Sequence, residues 1–502
     1  MIFLSRRMPI FYSALVLTGV NLLLRFVGTS FQVYLSRRIG AAGIGLLQLV
    51  MSVGSLAMVA GIGGIRTATM YLTAEELGTG RHKNVTWILS GCIIYSLAFS
   101  ISISLLLYAF APVIAQHWIG DVRTVDALRL FAAFLPVTCL CAVMTGYFTA
   151  ANRIGTLATV EVAEQALSMG ITIGMLTLWA GSDPRRACLC VILGSGLGAV
   201  LTLLALIGLR LAERPAIGNP IQVAHRLRNT ALPLAIADDL KTGITTAENL
   251  MVPKRLALNL STANPLAAFG MVSGMVFPVI MFPAAILFGL TELLIPELAR
   301  CAAGGQQNRI RYLKEKSLRF ALVYGLAFSG LIFLNAKQLC RMLYKSEDTA
   351  QQLQLYALLI PMLYCDSITD AMVKGLGQQK ICVRYNILTS AMDVTLLYLL
   401  LPRYGLEGYY FSFLVTHLIN FLLSIRRLMK ITKQTIPLWI PMLAAASEIF
   451  AICTATYLST PIARSVSFLL LLGSCLYLFR IVTRGDLHWV RSLLWKKTSP
   501  VR

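Results

Sequence analysis

Long apolar segments fill almost the whole chain, and this pattern restricts it to folds that a lipid bilayer can solvate. Of its 502 residues, 57% are hydrophobic and only 13% are charged. Soluble domains carry about 25% charged residues. A backbone in hydrocarbon must satisfy its own hydrogen bonds, and segments of about 20 apolar residues do so as helices. The sequence therefore predicts an all-α membrane protein.

Fourteen segments are long enough for a helix to cross a hydrocarbon core of about 30 Å. They lie near residues 11–34, 46–72, 85–110, 125–150, 156–180, 187–209, 230–252, 266–294, 317–335, 352–375, 381–402, 405–425, 438–458 and 461–483. The first segment is too long for the apolar part of a signal peptide, so it is interpreted as a retained span.

The basic residues indicate how these spans are oriented. The chain has 44 Lys and Arg and a net charge of +22, and the cations concentrate in alternate loops. This bias predicts that both termini are cytoplasmic, which requires an even number of spans. It also argues against nucleic acid as a partner and predicts anionic membrane lipids beside the basic loops. Eleven cysteines and five histidines form no spaced cluster, so we expect neither a metal site nor a cofactor.

Several charged residues interrupt the predicted spans. Each costs about 2.5–3.5 kcal/mol at the centre of a bilayer, so these residues must face one another or a hydrated cavity. They are Arg25, Glu161, Glu164, Asp238, Asp239, Lys241 and Glu248. A helical bundle with a polar interior is typical of a transporter.

Helical spacing places these residues on shared faces. In the first span, three- and four-residue steps connect Asn21, Arg25, Gly28 or Thr29, and Gln32. Glu161, Glu164 and Gln165 do so in the fifth. The widest polar face is that of the seventh span, which carries Asp238, Lys241, Glu248 and Asn249. We expect these faces to converge on one cavity.

The two halves of the chain have similar segments in the same order. SRRIG at 36–40 follows the first span and PKRLA at 253–257 follows the seventh. The pattern predicts two six-helix lobes as parallel repeats around a central cavity, with two additional helices. The predicted domains are the N-terminal lobe at 1–215, the C-terminal lobe at 216–430, two further transmembrane helices at 431–484 and a basic amphipathic cytoplasmic tail at 485–502.

Some polar features have two interpretations. Asp370 and Lys374, four residues apart, are interpreted as a structural ion pair. Arg66 either reaches the cavity or extends to the headgroups. The basic run 309–319 either lies in the membrane interface or extends the ninth span into the cytoplasm. Glu448, which stands outside the repeat, is interpreted as the mark of a groove for a lipid tail.

A set of short motifs resembles a known family. They are GYFTAAN at 146–152, the pair Glu164-Gln165, GIRTATMYLTAE at 64–75, Arg25 followed by Gly28, IGAAGIGLLQ at 39–48, ENLMVPKRL at 248–256 and LIPELA at 294–299. Their order and spacing over residues 10–430 are similar to those of the stage V sporulation protein B family. That family belongs to the multidrug/oligosaccharidyl-lipid/polysaccharide (MOP) superfamily, with the lipid II flippase and the MATE exporters.

The resemblance implies two lobes that work by alternating access, in the plasma membrane of a spore-forming bacterium. It implies a lipid-linked saccharide as substrate, such as a peptidoglycan or spore-cortex precursor. The chain departs from the family pattern at Ser168, where a basic residue is frequent, and at Asp238, Asp239 and Lys241. These departures leave the exact substrate open.

The leading functional hypothesis is a flippase rather than an enzyme. Arg25, Lys241 and Arg66 would bind the pyrophosphate of the carrier lipid. Asn21, Gln32, Gln165 and Asn249 would bind the saccharide. Glu161, Glu164, Asp238, Asp239 and Glu248 would balance charge or couple transport to a proton or sodium ion.

Two alternatives remain open at this point. A cation-coupled multidrug exporter of the MATE type would use the acids of the fifth and seventh spans, although Arg25 would repel a cationic drug. A membrane-embedded glycosyltransferase would need catalytic carboxylates on an extracytoplasmic loop. The longest such loop, at 336–351, contains only Glu347 and Asp348 in a polar turn.

Overall fold

The computed structural model describes residues 10–482 apart from 63, 79–81, 152, 181–182, 213–222, 261, 436 and 438. Within this range the side chains of 10–18, 21, 78, 82, 154, 180, 223–238, 292–293 and 303 are not described. The predicted tail at 485–502 lies outside the described residues. The elements within these limits are helices, and no strand occurs among them.

Sixteen α-helices follow one another in the described part of the chain. They are α1 (Ile10–Ile62), α2 (Ile65–Gly78), α3 (Val85–Val113), α4 (Val125–Ala150), α5 (Ile154–Met175), α6 (Pro184–Ala212), α7 (Val223–Leu256), α8 (Pro265–Gly270), α9 (Phe277–Met281), α10 (Ala284–Ala303), α11 (Gln307–Tyr344), α12 (Ala350–Ala357), α13 (Ile360–Gly375), α14 (Gln379–Thr432), α15 (Trp439–Thr456) and α16 (Pro461–Leu478). Wider π-helical turns at Ile114–Ile119, Leu176–Ala180 and Met271–Val276 extend α3, α5 and α8.

The prediction of an all-α membrane protein with about fourteen spans is confirmed. Among the described residues, eight helical stretches are long and apolar enough to cross a membrane, or up to ten if each bent pair is one span. Two of the eight, Leu22–Leu77 and Gln379–Thr432, contain 56 and 54 residues, which is enough for two crossings each. With the two bent pairs, these stretches account for twelve spans. The polar helices α5 and α7, which are not among them, correspond to the other two predicted spans.

A single glycine breaks each of the two longest helices. Gly40 has φ 72° and ψ 177° inside α1, and Gly405 has φ 55° and ψ −131° inside α14. Only glycine adopts such backbone angles without a steric penalty. These residues mark the boundaries between the first and second spans and between the eleventh and twelfth.

Three predicted spans are not straight helices. The second, predicted at 46–72, is interrupted near Gly64, which has φ 68°. The eighth bends by 65° between Pro265–Met281 and Ala284–Ala302, and the tenth bends by 49° between α12 and α13. Prolines explain the bends, because Pro283 and Pro361 cannot donate the backbone hydrogen bonds of a continuous helix.

The basic run 309–319 belongs to α11, which continues without a break from Gln307 to Tyr344. The unbroken helix favours the interpretation of this run as an extension of the ninth span, and its location relative to the membrane stays a prediction. Lys314 is buried in this extension, and its Nζ donates to Thr432 Oγ1 at 3.2 Å, at the end of α14. Burial lowers the pKa of the Lys314 ammonium.

The predicted ion pair of Lys374 with Asp370 on α13 is present, with 4.0 Å between Lys374 Nζ and Asp370 Oδ2.

The chain divides into two compact units by its internal contacts. The first comprises Met1–Met275 with Asp393–Tyr409, and the second comprises Val276–Met392 with Tyr410–Arg502. Helix α7, which lies in the predicted C-terminal lobe, groups with the first unit. The predicted division into two repeated lobes at residue 215 stays a prediction.

The interpretation of Glu448 as the mark of a groove is wrong. Its side chain is only 8% exposed and lies among the buried residues of α11, α15 and α16 in the second unit. Leu326, Ala451 and Phe468 belong to this apolar cluster. The sequence suggested a groove because a lone acid in an apolar span needs a polar surrounding, but here the side chain is enclosed within the second unit, near Ser329.

We predict that Gly330→Ala lowers the melting temperature of the purified protein. A Cβ at Gly330 would overlap the ring of Phe468, and overpacking of this kind typically costs about 1–3 kcal/mol. Gly473→Ala is the matched control, since nothing lies within 4 Å of a Cβ there. Differential scanning fluorimetry should show a decrease of about 2 °C or more for Gly330→Ala only, and equal melting temperatures would contradict the packing described.

Candidate functional site

Arg25 lies on the part of α1 that contacts α5. Gln165 Nε2 donates to the Leu24 carbonyl at 3.0 Å, and a Cβ at Gly28 would lie 3.3 Å from the same nitrogen. Arg25 is exposed and lies about 80° around the helix from this contact, at about 100° per residue. Leu23 and Phe26, which are 51% and 55% exposed, mark another face of α1. Arg25 therefore lies closer around the helix to the contact with α5 than to the apolar face that Leu23 and Phe26 mark.

Arg66 and Glu161 interact electrostatically, which connects α2 to α5. Gly146 on α4 lies against the backbone of α2 at Arg66. A Cβ at Gly146 would lie only 2.5 Å from the Arg66 carbonyl oxygen. The glycine of the GYF motif therefore permits α4 to contact the backbone that carries Arg66. Arg66 is exposed, and both interpretations of this residue, the cavity and the headgroups, stay predictions.

The next residue of the motif, Tyr147, forms a second contact near the cytoplasmic end predicted for α4. Arg210 Nη1 donates to the Tyr147 hydroxyl at 2.8 Å, and the guanidinium also lies 4.5 Å from the ring centroid. Arg210 was not predicted from the sequence as part of a site. Its position at the end of an apolar span gave no signal, because arginines are common there.

Glu164 borders a cavity of about 200 Å³ inside the first unit. The walls are mainly apolar and include Met51, Phe131 and Phe134. Thr202 of α6 hydrogen bonds to the Glu164 carboxyl group. Hence Glu164 and Glu161, although three residues apart on one face of α5, have different surroundings.

The polar face of α7 contacts the second half of α1. Thr246 Oγ1 donates to the Ser52 carbonyl at 3.1 Å, and Asn249 Nδ2 donates to Ser52 Oγ at 2.9 Å. These two bonds join the second and seventh spans, and one of them uses the Asn249 amide nitrogen. The predicted convergence of the polar faces on one cavity stays a prediction.

Glu248 and Asp393 form a hydrogen bond between two carboxyl groups, one from α7 and one from α14. Asp393 is only 6% exposed. Two ionised carboxylates cannot donate to one another, so this bond requires a proton on one of them. Asp393 belongs to the eleventh predicted span, and its pairing with Glu248 was not predicted.

The remaining predicted residues are placed as follows. Gln32 is half-buried, and its Nε2 atom is buried without a hydrogen-bond partner in the described structure. Lys241 is exposed, and Asp239 of the same helix is half-buried and interacts electrostatically with Tyr95 of α3. The side chains of Asn21 and Asp238 lie outside the described residues. No group of three or more metal-ligating side chains occurs in the described ranges.

Solved structures share this arrangement of helices. An inward closed conformation of the lipid II flippase MurJ has a TM-score of 0.68, with 13% identity over 93% of this chain and 98% of that chain. An inward-facing multidrug resistance MATE family transporter of the MOP superfamily has a TM-score of 0.65, with 15% identity over 84% of this chain and 100% of that chain. The fold is thus that of a multi-helix membrane transporter.

Sequence comparison identifies the family. The family model described as MatE matches residues 17–178 and 251–399, which is more than half of the chain. The protein belongs to the MatE family. It is also 22% identical over 466 residues to stage V sporulation protein B of Bacillus subtilis (strain 168), which covers 90% of this chain and 89% of that protein.

We predict a protonated carboxyl group at neutral pH that depends on Glu248 and Asp393. Glu248→Gln and Asp393→Asn each preserve a hydrogen bond between the two helices but remove the need for a shared proton. Infrared spectroscopy of the purified protein should therefore show a weaker protonated-carboxyl band in each variant than in the wild type.

Glu347→Gln is the matched control for these variants. Arg341 donates hydrogen bonds to Glu347 and lowers the pKa of its carboxyl group, so this group is already ionised at pH 7. Its replacement should leave the band unchanged. A band of equal intensity in the wild type and in both Glu248→Gln and Asp393→Asn would show that the pair holds no proton.

Proposed function

We propose that this protein is a flippase that moves a lipid-linked saccharide across the bacterial plasma membrane by alternating access. The observation that carries the proposal is the position of Arg25, an exposed cation within an apolar helix, beside the polar face of α5. An exposed guanidinium beside a polar helix face can also reach a ligand. The pyrophosphate of an isoprenoid carrier is an anion of the kind that arginine binds.

Arginine suits this substrate because its planar guanidinium can form two hydrogen bonds with one phosphate group. In this proposal Arg25, Arg66 and Lys241 bind the pyrophosphate, while Asn21, Gln32, Gln165 and Asn249 bind the saccharide. The exposed fraction of Arg25, Arg66 and Lys241 is consistent with access to a ligand. The unpartnered Gln32 amide nitrogen also supports a role in binding.

The family relatives support the class of substrate. The similarity to stage V sporulation protein B covers most of both chains, and the name of that protein connects it to sporulation. The fold is also that of a lipid II flippase. A peptidoglycan or spore-cortex precursor is therefore the substrate that we propose.

The acidic residues have two roles in this proposal. Glu161 balances the charge of Arg66, with which it interacts. Glu248 and Asp393 hold the coupling ion, because a pair that shares one proton can release it or exchange it for a sodium ion. Glu164, Asp238 and Asp239 would contribute charge balance around the same path.

The distribution of cations supports an orientation with both termini in the cytoplasm. In that orientation the extension of α11 contacts the anionic lipids of the inner leaflet. Arg309 and Lys316 lie 5.8 and 5.9 Å from the ring of Tyr312, which is 41% exposed. Cations that flank an aromatic ring are suited to the interface between headgroups and acyl chains.

A MATE-type exporter of cationic drugs is the second candidate, and the cavity at Glu164 favours it. A carboxyl group, two methionines and two phenylalanines border that cavity, and aromatic rings attract cations. Its volume of about 200 Å³ is below the range of about 300–1,000 Å³ for drug-sized ligands. The flippase is the preferred function because the exposed Arg25 on α1 would repel a cationic drug.

We predict that Arg25→Ala reduces flipping of a lipid-linked saccharide at least ten-fold, because the phosphate loses its cation. The measurement is the fraction of labelled lipid II that becomes accessible in proteoliposomes. Arg25→Lys should retain part of the activity, since it keeps the charge but not the fork of donors. Arg123→Ala is the control, because Arg123 pairs with Asp121 in a connecting turn. Full activity of Arg25→Ala would exclude the assignment.

Competition between substrates separates the two candidate functions. A flippase should bind an anionic isoprenoid pyrophosphate in preference to a cationic dye such as ethidium, and Arg25→Ala should reverse this preference. An exporter should transport the dye, and Glu164→Gln should abolish that transport. Efflux of the dye by the wild type, without flipping of lipid II, would replace the first proposal with the second.

A further inference from the structure

A proline in α14 leaves one backbone carbonyl of that helix without its helical donor. The Tyr398 carbonyl would accept from the N–H of residue 402, but this residue is Pro402 and has none. Arg255, in the last turn of α7, supplies donors in its place. Its Nε and Nη2 atoms donate to the Tyr398 carbonyl at 3.1 and 2.7 Å. The Arg255 guanidinium also lies 3.6 Å from the centroid of the Tyr398 ring, so it holds both the backbone and the side chain of this residue.

A second carbonyl of α14 receives a donor one turn later. Gly405 has non-helical backbone angles, and it lies in the turn that would bring a donor to the Pro402 carbonyl. Asn259, four residues after Arg255, supplies a donor instead, because its Nδ2 atom donates to the Pro402 carbonyl at 3.2 Å. Thr262 Oγ1 in turn donates to Asn259 Oδ1 at 3.3 Å. The end of α7 and the turn after it therefore attach to α14 where the helical bonding of α14 is interrupted.

The same two helices carry the carboxyl pair of Glu248 and Asp393. Glu248 precedes Arg255 by about 10 Å along α7, and Asp393 precedes Tyr398 by about 8 Å along α14, at about 1.5 Å per residue. The contacts follow in the same order in both helices, so α7 and this part of α14 run parallel, with the carboxyl pair at one end of a line of contacts. The residues of these contacts all belong to the first unit. A change at Arg255 thus acts on the carboxyl pair from two helical turns away.

The carboxyl pair depends on how its helices are held. A hydrogen bond between a carboxyl group and a carboxylate is short, with about 2.5–2.7 Å between the oxygens. Once the proton leaves, the two negative charges repel each other. The side chains would then move apart unless the helices that carry them are held together. Arg255 holds them with two charge-assisted hydrogen bonds to a backbone atom.

Lys254, the neighbour of Arg255, attaches α7 to a different helix. Its Nζ atom donates to the His117 carbonyl, in the π-helical turn that extends α3. Lys254 carries the same charge as Arg255, and the two residues are consecutive. They differ in the helix that they hold, so Lys254 is the matched control for the loss of a cation without the loss of the contact with α14.

We propose that Arg255 is a positioning residue, which holds α14 to the end of α7 and so keeps Glu248 and Asp393 within hydrogen-bonding distance. This inference rests on the proposed function, in which the carboxyl pair holds the coupling ion, and adds the residue that sets the geometry of the pair. Arg255 does not bind the ion in this proposal. It acts through the distance between the two helices.

The first test is infrared spectroscopy of the purified protein without substrate. Arg255→Met removes the donors to α14, so the protonated carboxyl group of the pair should lose its charged acceptor. A carboxyl group that donates to a carboxylate absorbs at a lower frequency than one without this bond. The protonated-carboxyl band that depends on Glu248 and Asp393 should therefore shift to higher frequency or disappear. It should keep its wild-type position in Lys254→Met, and an unshifted band in Arg255→Met would overturn the proposal.

A second substitution separates positioning from a purely structural role. Pro402→Ala restores the backbone N–H that the Tyr398 carbonyl lacks, but it does not restore the link to α7. In the combination with Arg255→Met the carbonyl is satisfied, yet the band should remain displaced. A band that returns to its wild-type position would show that Arg255 only satisfies the carbonyl, and the positioning role would be wrong. If Arg255→Met does not fold by itself, the combination is compared directly with Pro402→Ala.

Transport assays distinguish the positioning role from the proposed function. In proteoliposomes, a proton or sodium gradient should accelerate the flipping of labelled lipid II by the wild type and by Lys254→Met, whereas Arg255→Met should lose this acceleration. If the band responds as expected but lipid II is not flipped, the positioning role stands and the proposed substrate fails. If lipid II is flipped and Arg255→Met keeps both the band and the acceleration, the positioning role fails alone. A wild-type band that does not depend on Glu248 and Asp393 would also exclude this role, since the pair would then share no proton.

Discussion

The structure depends on the high cost of an unpartnered polar group in hydrocarbon. Helix α5 shows how the chain meets this constraint. Gln165 donates to the backbone of α1, Glu161 interacts with Arg66 of α2, and Glu164 accepts a hydrogen bond from Thr202 of α6. One polar face thus connects three neighbouring helices. The same groups that make α5 costly in lipid fix its position in the bundle and hold Arg25 on the flank of the contact.

Much of the fold could be predicted from the sequence because the membrane imposes a simple rule. Each apolar run of about 20 residues must form a helix, so the fourteen spans were found with small errors at their ends. The bends were missed, since Pro283 follows an apolar run that reads as continuous. The break near Gly64 was missed for a related reason, because glycine is common within transmembrane helices and only the backbone angles reveal a break.

The site was only partly predictable, because helical spacing shows which residues share a face but not which face they meet. The spacing grouped Glu248 with Asn249, yet their partners differ. Asn249 meets Ser52, 197 residues earlier in the chain, whereas Glu248 meets Asp393. Such long-range pairs leave no trace in local periodicity. Gly146 and Arg210 were missed as contributors for the same reason, since their role depends on what lies opposite them.

The continuity of α11 has a consequence for events outside the bilayer. Its 38 residues form a rod of about 57 Å, at about 1.5 Å per residue, and a hydrocarbon core of about 30 Å covers roughly half of it. The remainder carries the basic turns and the buried Lys314, which attaches it to the end of α14. The tilt of the rod among the lipids and the location of its charged turns therefore cannot vary independently, and any reorientation within the bilayer becomes a displacement beyond it.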